Sequence, residues 1–211
     1  PWIDRVPAVL EAWFSGSEAG HALADVVFGA VNPSGKLPFT FPVRLEDNGA
    51  HTLGEYPGAD KVKYNESIFV GYRWHDKEQL KPLFAFGHGL SYTAFAVGNV
   101  KADRTTLAPN GSIRISADVT NTGDRAGAEV VQLYIGDEQS SLPRPVKELK
   151  GFQKVSLNPG QTQTVTFEIT PGMLQYYDDA KGAWVAEPGA FTAYVGAASD
   201  DIRGTVEFEL K

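Results

Sequence analysis

The stretch Ile113-Arg114-Ile115-Ser116-Ala117-Asp118-Val119-Thr120-Asn121-Thr122-Gly123 places an apolar residue at every second position from 113 to 119 and then ends in a turn signal. Successive side chains of a strand point to opposite faces, so this alternation describes a strand with one face in a core and one in water. The same period of two recurs at Val131, Leu133 and Ile135, at Val165, Phe167 and Ile169, at Phe191, Ala193 and Val195, and at Val206, Phe208 and Leu210. Between the runs lie Asn121-Thr122-Gly123, Asn158-Pro159-Gly160, Pro171-Gly172 and Glu187-Pro188-Gly189, all turn chemistry. About seven strands over roughly 120 residues, with turns every 8–12 or so, predict an immunoglobulin-like or fibronectin-III-like β-sandwich from Tyr92 to the end. Met173-Leu174-Gln175-Tyr176-Tyr177 reads as a short helical or corner segment within it.

Upstream the pattern changes. Ala8-Val9-Leu10-Glu11-Ala12-Trp13-Phe14 is a short apolar run and predicts a buried strand. Ser15-Gly16-Ser17-Glu18 has capping-box spacing, and Ala22, Leu23, Val26 and Val27 recur at helical intervals before Gly29, where a C-terminal cap belongs. Residues 8–29 therefore read as strand, turn and helix, one unit of an α/β layer. One such unit cannot cover both faces of its strand, so residues 1–45 are expected to need the rest of their sheet from elsewhere. Asn32-Pro33-Ser34-Gly35-Lys36-Leu37-Pro38 reads as a turn, Phe39-Thr40-Phe41-Pro42 as a short extended piece, and residues 43–66 as a long surface loop.

The chain has 211 residues, 42% hydrophobic and 21% charged, an ordinary globular balance. A net charge of −7 makes nucleic acid and anionic membrane poor partners and leaves neutral ligands such as sugars unaffected. With no cysteine, disulfides, thiolate metal sites and cysteine catalysis are excluded, while cytoplasmic, periplasmic and secreted locations all stay open. The opening Pro1-Trp2-Ile3-Asp4 suggests a chain cut or separated from a longer product.

A non-periodic aromatic run joins the two patterns: Tyr64-Asn65-Glu66-Ser67-Ile68-Phe69-Val70-Gly71-Tyr72-Arg73-Trp74, then Pro82-Leu83-Phe84-Ala85-Phe86-Gly87-His88-Gly89-Leu90-Ser91-Tyr92. It resembles the join between the α/β-sandwich domain and the C-terminal sandwich of family 3 glycoside hydrolases, the β-glucosidase family. Further blocks are similar to that family: residues 8–38, Val119 to Tyr134, and Glu148-Leu149-Lys150-Gly151-Phe152 with Trp184 and Glu187-Pro188-Gly189. One departure is Ser15-Gly16-Ser17-Glu18-Ala19-Gly20, where the family commonly has Pro-Gly-Gln-Glu-Gly-Gly.

The resemblance implies a mainly β chain: the end of an α/β-sandwich domain (1–45), a loop and aromatic junction (46–91), and a fibronectin type III-like domain (92–211). It implies a retaining mechanism, with a nucleophilic and an acid/base carboxyl group about 5–5.5 Å apart. In the family both lie upstream of the blocks matched here, so no catalytic residue is carried over. The chain alone is expected to be inactive and to complete an enzyme with the upstream barrel and α/β portion, in the same or a separate chain. A homodimer is a further partner, a β-glucoside the substrate, and no cofactor or metal is assigned. The alternatives are a non-catalytic fibronectin-III-like interaction or carbohydrate-contact module, or a β-xylosidase of the same family.

Glu66, Tyr64, Tyr72 and Arg73 are the candidates for substrate contact. The plainer reading makes Glu66 a solvated carboxylate, or a partner of Arg73 or a loop lysine, and makes the aromatics packing between domains. Glu18 is explained by capping, and Asp178-Asp179 by a corner. His88 between two glycines suggests a tight turn. The histidines lack zinc-site spacing, and no serine has an esterase setting.

Overall fold

The computed structural model describes residues 2–211. In chain order the helices are α1 (Ala19–Val27), α2 (Gly49–Thr52), α3 (Tyr72–Lys77) and α4 (Pro171–Leu174). The strands are β1 (Phe95–Ala102), β2 (Thr106–Leu107), β3 (Ile113–Asn121), β4 (Gly127–Asp137), β5 (Glu148–Leu157), β6 (Thr162–Ile169), β7 (Tyr176–Asp178), β8 (Ala183–Val185), β9 (Gly189–Ala198) and β10 (Asp201–Leu210).

Two sheets face each other. One has the order β1-β3-β6 and the other β2-β10-β9-β4-β5, a fibronectin-III-like sandwich. Pairing is antiparallel except for the parallel contact of β10 with β2. The alternation in the sequence sets the register: Ile113, Ile115, Ala117 and Val119 sit opposite Ile169, Phe167, Val165 and Gln163 on β6. All four residues of β3 are buried, together with Val131 and Leu133 of β4 and Phe191, Ala193 and Val195 of β9. Asn121 closes this core. Its amide donates to the carbonyls of Arg125 (2.7 Å) and Leu157 (3.0 Å), and its oxygen accepts from Thr93 Oγ1 (2.8 Å) and Gly123 N (3.1 Å).

Several details depart from the sequence expectations. β4 buries both faces, since Gln132 and Tyr134 are as hidden as their core-facing neighbours. Period two reports one face only. The other face is covered by the aromatic junction: Tyr72 lies against Tyr134 at 5.7 Å, and Gln132 Nε2 donates to Gly87 O and Ala197 O. Of Met173–Tyr177, the first half is helical in α4, while Tyr176 and Tyr177 open the β7–β8 hairpin, with Asp178 Oδ1 accepting from Ala180 N and Lys181 N in its turn. The loop after residue 43 contains a 3-10 turn at Leu45–Asp47 and the one-turn α2. Residues 32–37 form no turn. They pass along the junction without regular structure, with Leu37 N donating to His88 O and Gly87 N to Leu37 O.

The N-terminal unit is half as expected. α1 forms and ends at Gly29, whose φ of 78° is the left-handed cap conformation. Residues 8–14 form no ladder, because a lone strand finds no neighbour to take its N–H and C=O groups. The capping box does not close either. Gly16 at φ 69° turns the chain out of the helical path, Ser15 Oγ donates to Ala12 O, and Glu18 bonds His21 Nδ1 at 2.8 Å. No residue of α1 is buried, and Phe14, Leu23, Val27 and Phe28 are exposed. The accessible surface is 12630 Å² for 22.8 kDa, against about 9,600 Å² for a compact monomer of that mass. Most large exposed apolar side chains lie before residue 93.

Candidate functional site

The loop that carries Glu66 is built by close backbone approach. Arg44 Nε bonds Asp47 Oδ1 at 2.8 Å, and Asn48 caps α2 by accepting from Ala50 N. That turn brings Gly49 onto the indole of Trp74: a Cβ at Gly49 would lie 2.9 Å from Trp74 Cδ2 and 3.3 Å from Glu66 Cβ. Only glycine fits there, and its absence of side chain lets Glu66 and Trp74 pack against α2. Lys77 holds the other side, its Nζ 5.0 Å from the centroids of both Phe69 and Trp74.

Glu66 is 8% exposed, and its Oε2 has no hydrogen-bond partner. Among the described residues it pairs with neither Arg73 nor a loop lysine, and it is mostly buried rather than freely solvated. Trp74 Nε1 and His51 Nδ1 are likewise buried and unpartnered. A buried carboxyl oxygen left without a hydrogen-bond partner costs on the order of 1–3 kcal/mol, so Glu66 is a costly residue to place here. Tyr64, two residues upstream, is 77% exposed.

Tyr72 and Arg73 take a different place. The Tyr72 hydroxyl accepts from Leu149 N at 2.9 Å, and its ring packs on Phe86 at 5.1 Å. Arg73 lies over the Tyr72 ring and reaches Glu148 at 3.4 Å. Glu148 also binds Arg144 (2.8 Å) and Lys150 (3.5 Å), and Arg144 continues to Asp137 at 3.0 Å. Burial acts to raise the Glu148 pKa, but the Arg144 hydrogen bond and the charges of Lys150, Arg144 and Arg73 outweigh it and hold the carboxyl below its ordinary value. A second tie is Lys147 to Asp76, at 2.6 Å. Thus α3, next to Glu66, is fastened to β5 by charge. The sequence carries no spacing signal for these pairs, because their members are about 70 residues apart.

α1 is fastened to the sandwich as well. Tyr92 OH donates to Val26 O (2.8 Å), Arg125 Nη2 to Gly29 O (2.7 Å), and Asn32 Nδ2 to Ala126 O (3.0 Å), while Asn32 Oδ1 accepts from Ser91 Oγ and Tyr92 N. The remaining aromatics form a chain of edge and stacked contacts from Trp13 through Phe39, Phe41 and Phe84 to His88. No group of three side chains suited to hold a metal occurs among the described residues.

The family description Glycosyl hydrolase family 3 C-terminal domain matches residues 1–92, and Fibronectin type III-like domain matches residues 129–199. The chain belongs to glycosyl hydrolase family 3. Beta-glucosidase BoGH3A of Bacteroides ovatus is 52% identical over 99% of this chain, which spans 28% of that protein. Thermostable beta-glucosidase B of Acetivibrio thermocellus is 49% identical over 96% of the chain and 27% of its own length. Among solved structures, DesR, a beta-glucosidase from Streptomyces venezuelae in complex with D-glucose, superimposes with a TM-score of 0.93 at 40% identity, over all of this chain and 27% of its own. The chain is thus similar to roughly the last quarter of these family 3 enzymes, and its exposed apolar face lies in the part matched to the hydrolase domain.

Proposed function

We propose that this chain is the C-terminal portion of a retaining β-glucosidase that removes terminal non-reducing β-D-glucosyl residues. It supplies a wall of the cleft and a brace, and the catalytic carboxyl pair lies in the upstream barrel and α/β portion. The observation that carries this reading is the identity of 52% with a β-glucosidase along 99% of the chain, joined to an apolar face that the chain leaves uncovered. Residues 1–45 finish the α/β layer, residues 46–91 form the junction, and residues 92–211 form the fibronectin type III-like domain.

Within the junction, Tyr64 and Glu66 meet the glucoside or the cleft wall. Glu66 is the group whose free oxygen seeks a donor, and a sugar hydroxyl is such a donor. Tyr72 and Arg73 serve the same site by fixing α3, Tyr72 through its ring contact with Tyr134 of β4 and Arg73 through its ion pair with Glu148 of β5. The isolated chain associates with a second copy through the face that the upstream portion otherwise covers.

The test is an aryl β-glucoside assay of the full-length enzyme bearing this chain, of the chain alone, and of the two portions mixed. The expected pattern is activity in the first and third and none in the second. Glu66→Gln in the full-length enzyme raises KM more than it lowers kcat. Turnover by the chain alone overturns the assignment of the carboxyl pair, and preference for an aryl β-xyloside overturns the substrate.

A further inference from the structure

A cavity of about 390 Å³ lies where the N-terminal part meets the sandwich. Its walls come from four places: Thr40 before the bridge to Phe84, Tyr72, His75 and Asp76 of α3, the segment 79–82 that follows α3, and the β9–β10 turn at Ser199 and Asp200. Two of these side chains are more than nine-tenths buried and carry a polar atom with no partner, Thr40 Oγ1 and His75 Nε2. Both converge on Gly71. His75 Nδ1 lies 3.0 Å from Gly71 O, and a Cβ at Gly71 would be 3.9 Å from Thr40 Oγ1.

The chemistry of the missing partner follows. A carbonyl oxygen only accepts, so Nδ1 carries the proton that Gly71 O receives, and Nε2 is the ring atom left to find a partner. The occupant must present to Nε2 a group able to donate or accept, and another that exchanges a hydrogen bond with the Thr40 hydroxyl. Hydroxyl groups do both. Asp76 is already neutralised by Lys147, and Lys81 and Asp200 add one charge of each sign to the lining, so the cavity selects neither an anion nor a cation. Its volume is near the lower end of the roughly 300–1,000 Å³ of small-molecule sites, enough for one sugar ring and too little for an oligosaccharide.

We infer that this seam cavity binds a neutral polyhydroxylated molecule of monosaccharide size, with hydroxyl groups on His75 Nε2 and Thr40 Oγ1. The inference stands on the geometry of the cavity and holds whether or not the enzyme cleaves glucosides. Occupation ties α3 to the β9–β10 turn through the bound molecule, so it stiffens the seam beside Glu66.

The experiment titrates D-glucose, with glycerol as the smaller probe, into the full-length enzyme labelled with ¹⁵N-histidine. The His75 signals are those missing in His75→Gln. The expected result is a saturable shift of the His75 Nε2 resonance, weakened roughly 2- to 10-fold in Thr40→Val, the loss of one net hydrogen bond, and restored in Thr40→Ser. A wild-type enzyme with no saturable shift overturns the inference, and so does a crystal structure in which a single water or a donor from the upstream portion fills the cavity. Hydrolysis of the aryl β-glucoside, measured on the same samples, reports on the proposed activity separately.

Discussion

Asn121→Ala removes the side chain that closes the sandwich core. Asn121 is fully buried and makes four hydrogen bonds, two given and two received. Truncation leaves the Arg125 and Leu157 carbonyls, the Gly123 N–H and the Thr93 hydroxyl short of a partner. At about 1 kcal/mol net per bond, the loss is on the order of 3–4 kcal/mol, softened where Thr93 and Gly123 reach water. For a protein of this size, each 1 kcal/mol shifts Tm by about 2–4 °C, so the sandwich melts about 10 °C lower. Asn121→Asp is the sharper variant. It keeps the two received bonds and turns the two given ones into contacts between a carboxylate and carbonyl oxygens, in a buried place, so it destabilises at least as much. The assay is thermal and urea unfolding followed by far-ultraviolet circular dichroism. If both variants fall within about 1 kcal/mol of the wild type, the amide is not the closure of the core, and the argument from buried hydrogen bonds fails here.

Other expectations concern the seam and the exposed face. Glu148→Gln frees Arg73 and leaves Asp137 as the one carboxylate paired with Arg144 among the described residues, and destabilises by on the order of 2–3 kcal/mol near neutral pH. Because the folded Glu148 pKa is held below the ordinary 4.5, its contribution is present above that value and fades as pH falls through the folded pKa. The gap between wild type and variant in urea midpoints must therefore narrow in acid, and a constant gap refutes it. Gly87→Ala places a Cβ 2.2 Å from Gln132 Oε1 at a φ of 81°, so it costs about 1 kcal/mol in backbone conformation and also displaces the amide that holds Gly87 and Ala197. Hydrogen exchange at Leu37 and Gly87 is then faster than in the wild type. The chain alone binds a hydrophobic dye and associates, in proportion to roughly 3,000 Å² of surface beyond a compact monomer. Monomeric, dye-free behaviour refutes the uncovered layer.

The sandwich was legible because its inward residues obey a strict period. Ile113 to Val119 and their counterparts on β4, β6, β9 and β10 sit where alternation put them. β1 and the edge strand β5 lack such a clean pattern: β1 mixes partly buried and exposed residues, and β5 opens on four partly buried residues before the exposed Phe152. The outer face of β4 was hidden for another reason: Gln132 looks like a solvent residue until Gly87 is seen to lie on it. The strand expected at residues 8–14 needs a sheet that local sequence cannot supply. Glu66 was legible as a candidate by its place in the aromatic run, but its burial depends on Gly49, seventeen residues away, meeting Trp74. Thr40 and His75 gave no signal, since their meeting at Gly71 is set by tertiary packing alone.

The way α1 is held has a consequence for how such enzymes can diverge. Tyr92 and Arg125 grip it by the main-chain oxygens of Val26 and Gly29, and Asn32 reaches back to the main chain of Ala126. A clasp of this kind is blind to side-chain identity on the helix. Mutations that reshape the helix's other surface, to suit whatever lies above it, leave the clasp intact, whereas exchange of Tyr92, Arg125 or Asn32 unfastens it. Drift is thereby permitted on one partner and restrained on three anchor positions, so the β-body can be carried unchanged beneath a changing upper storey.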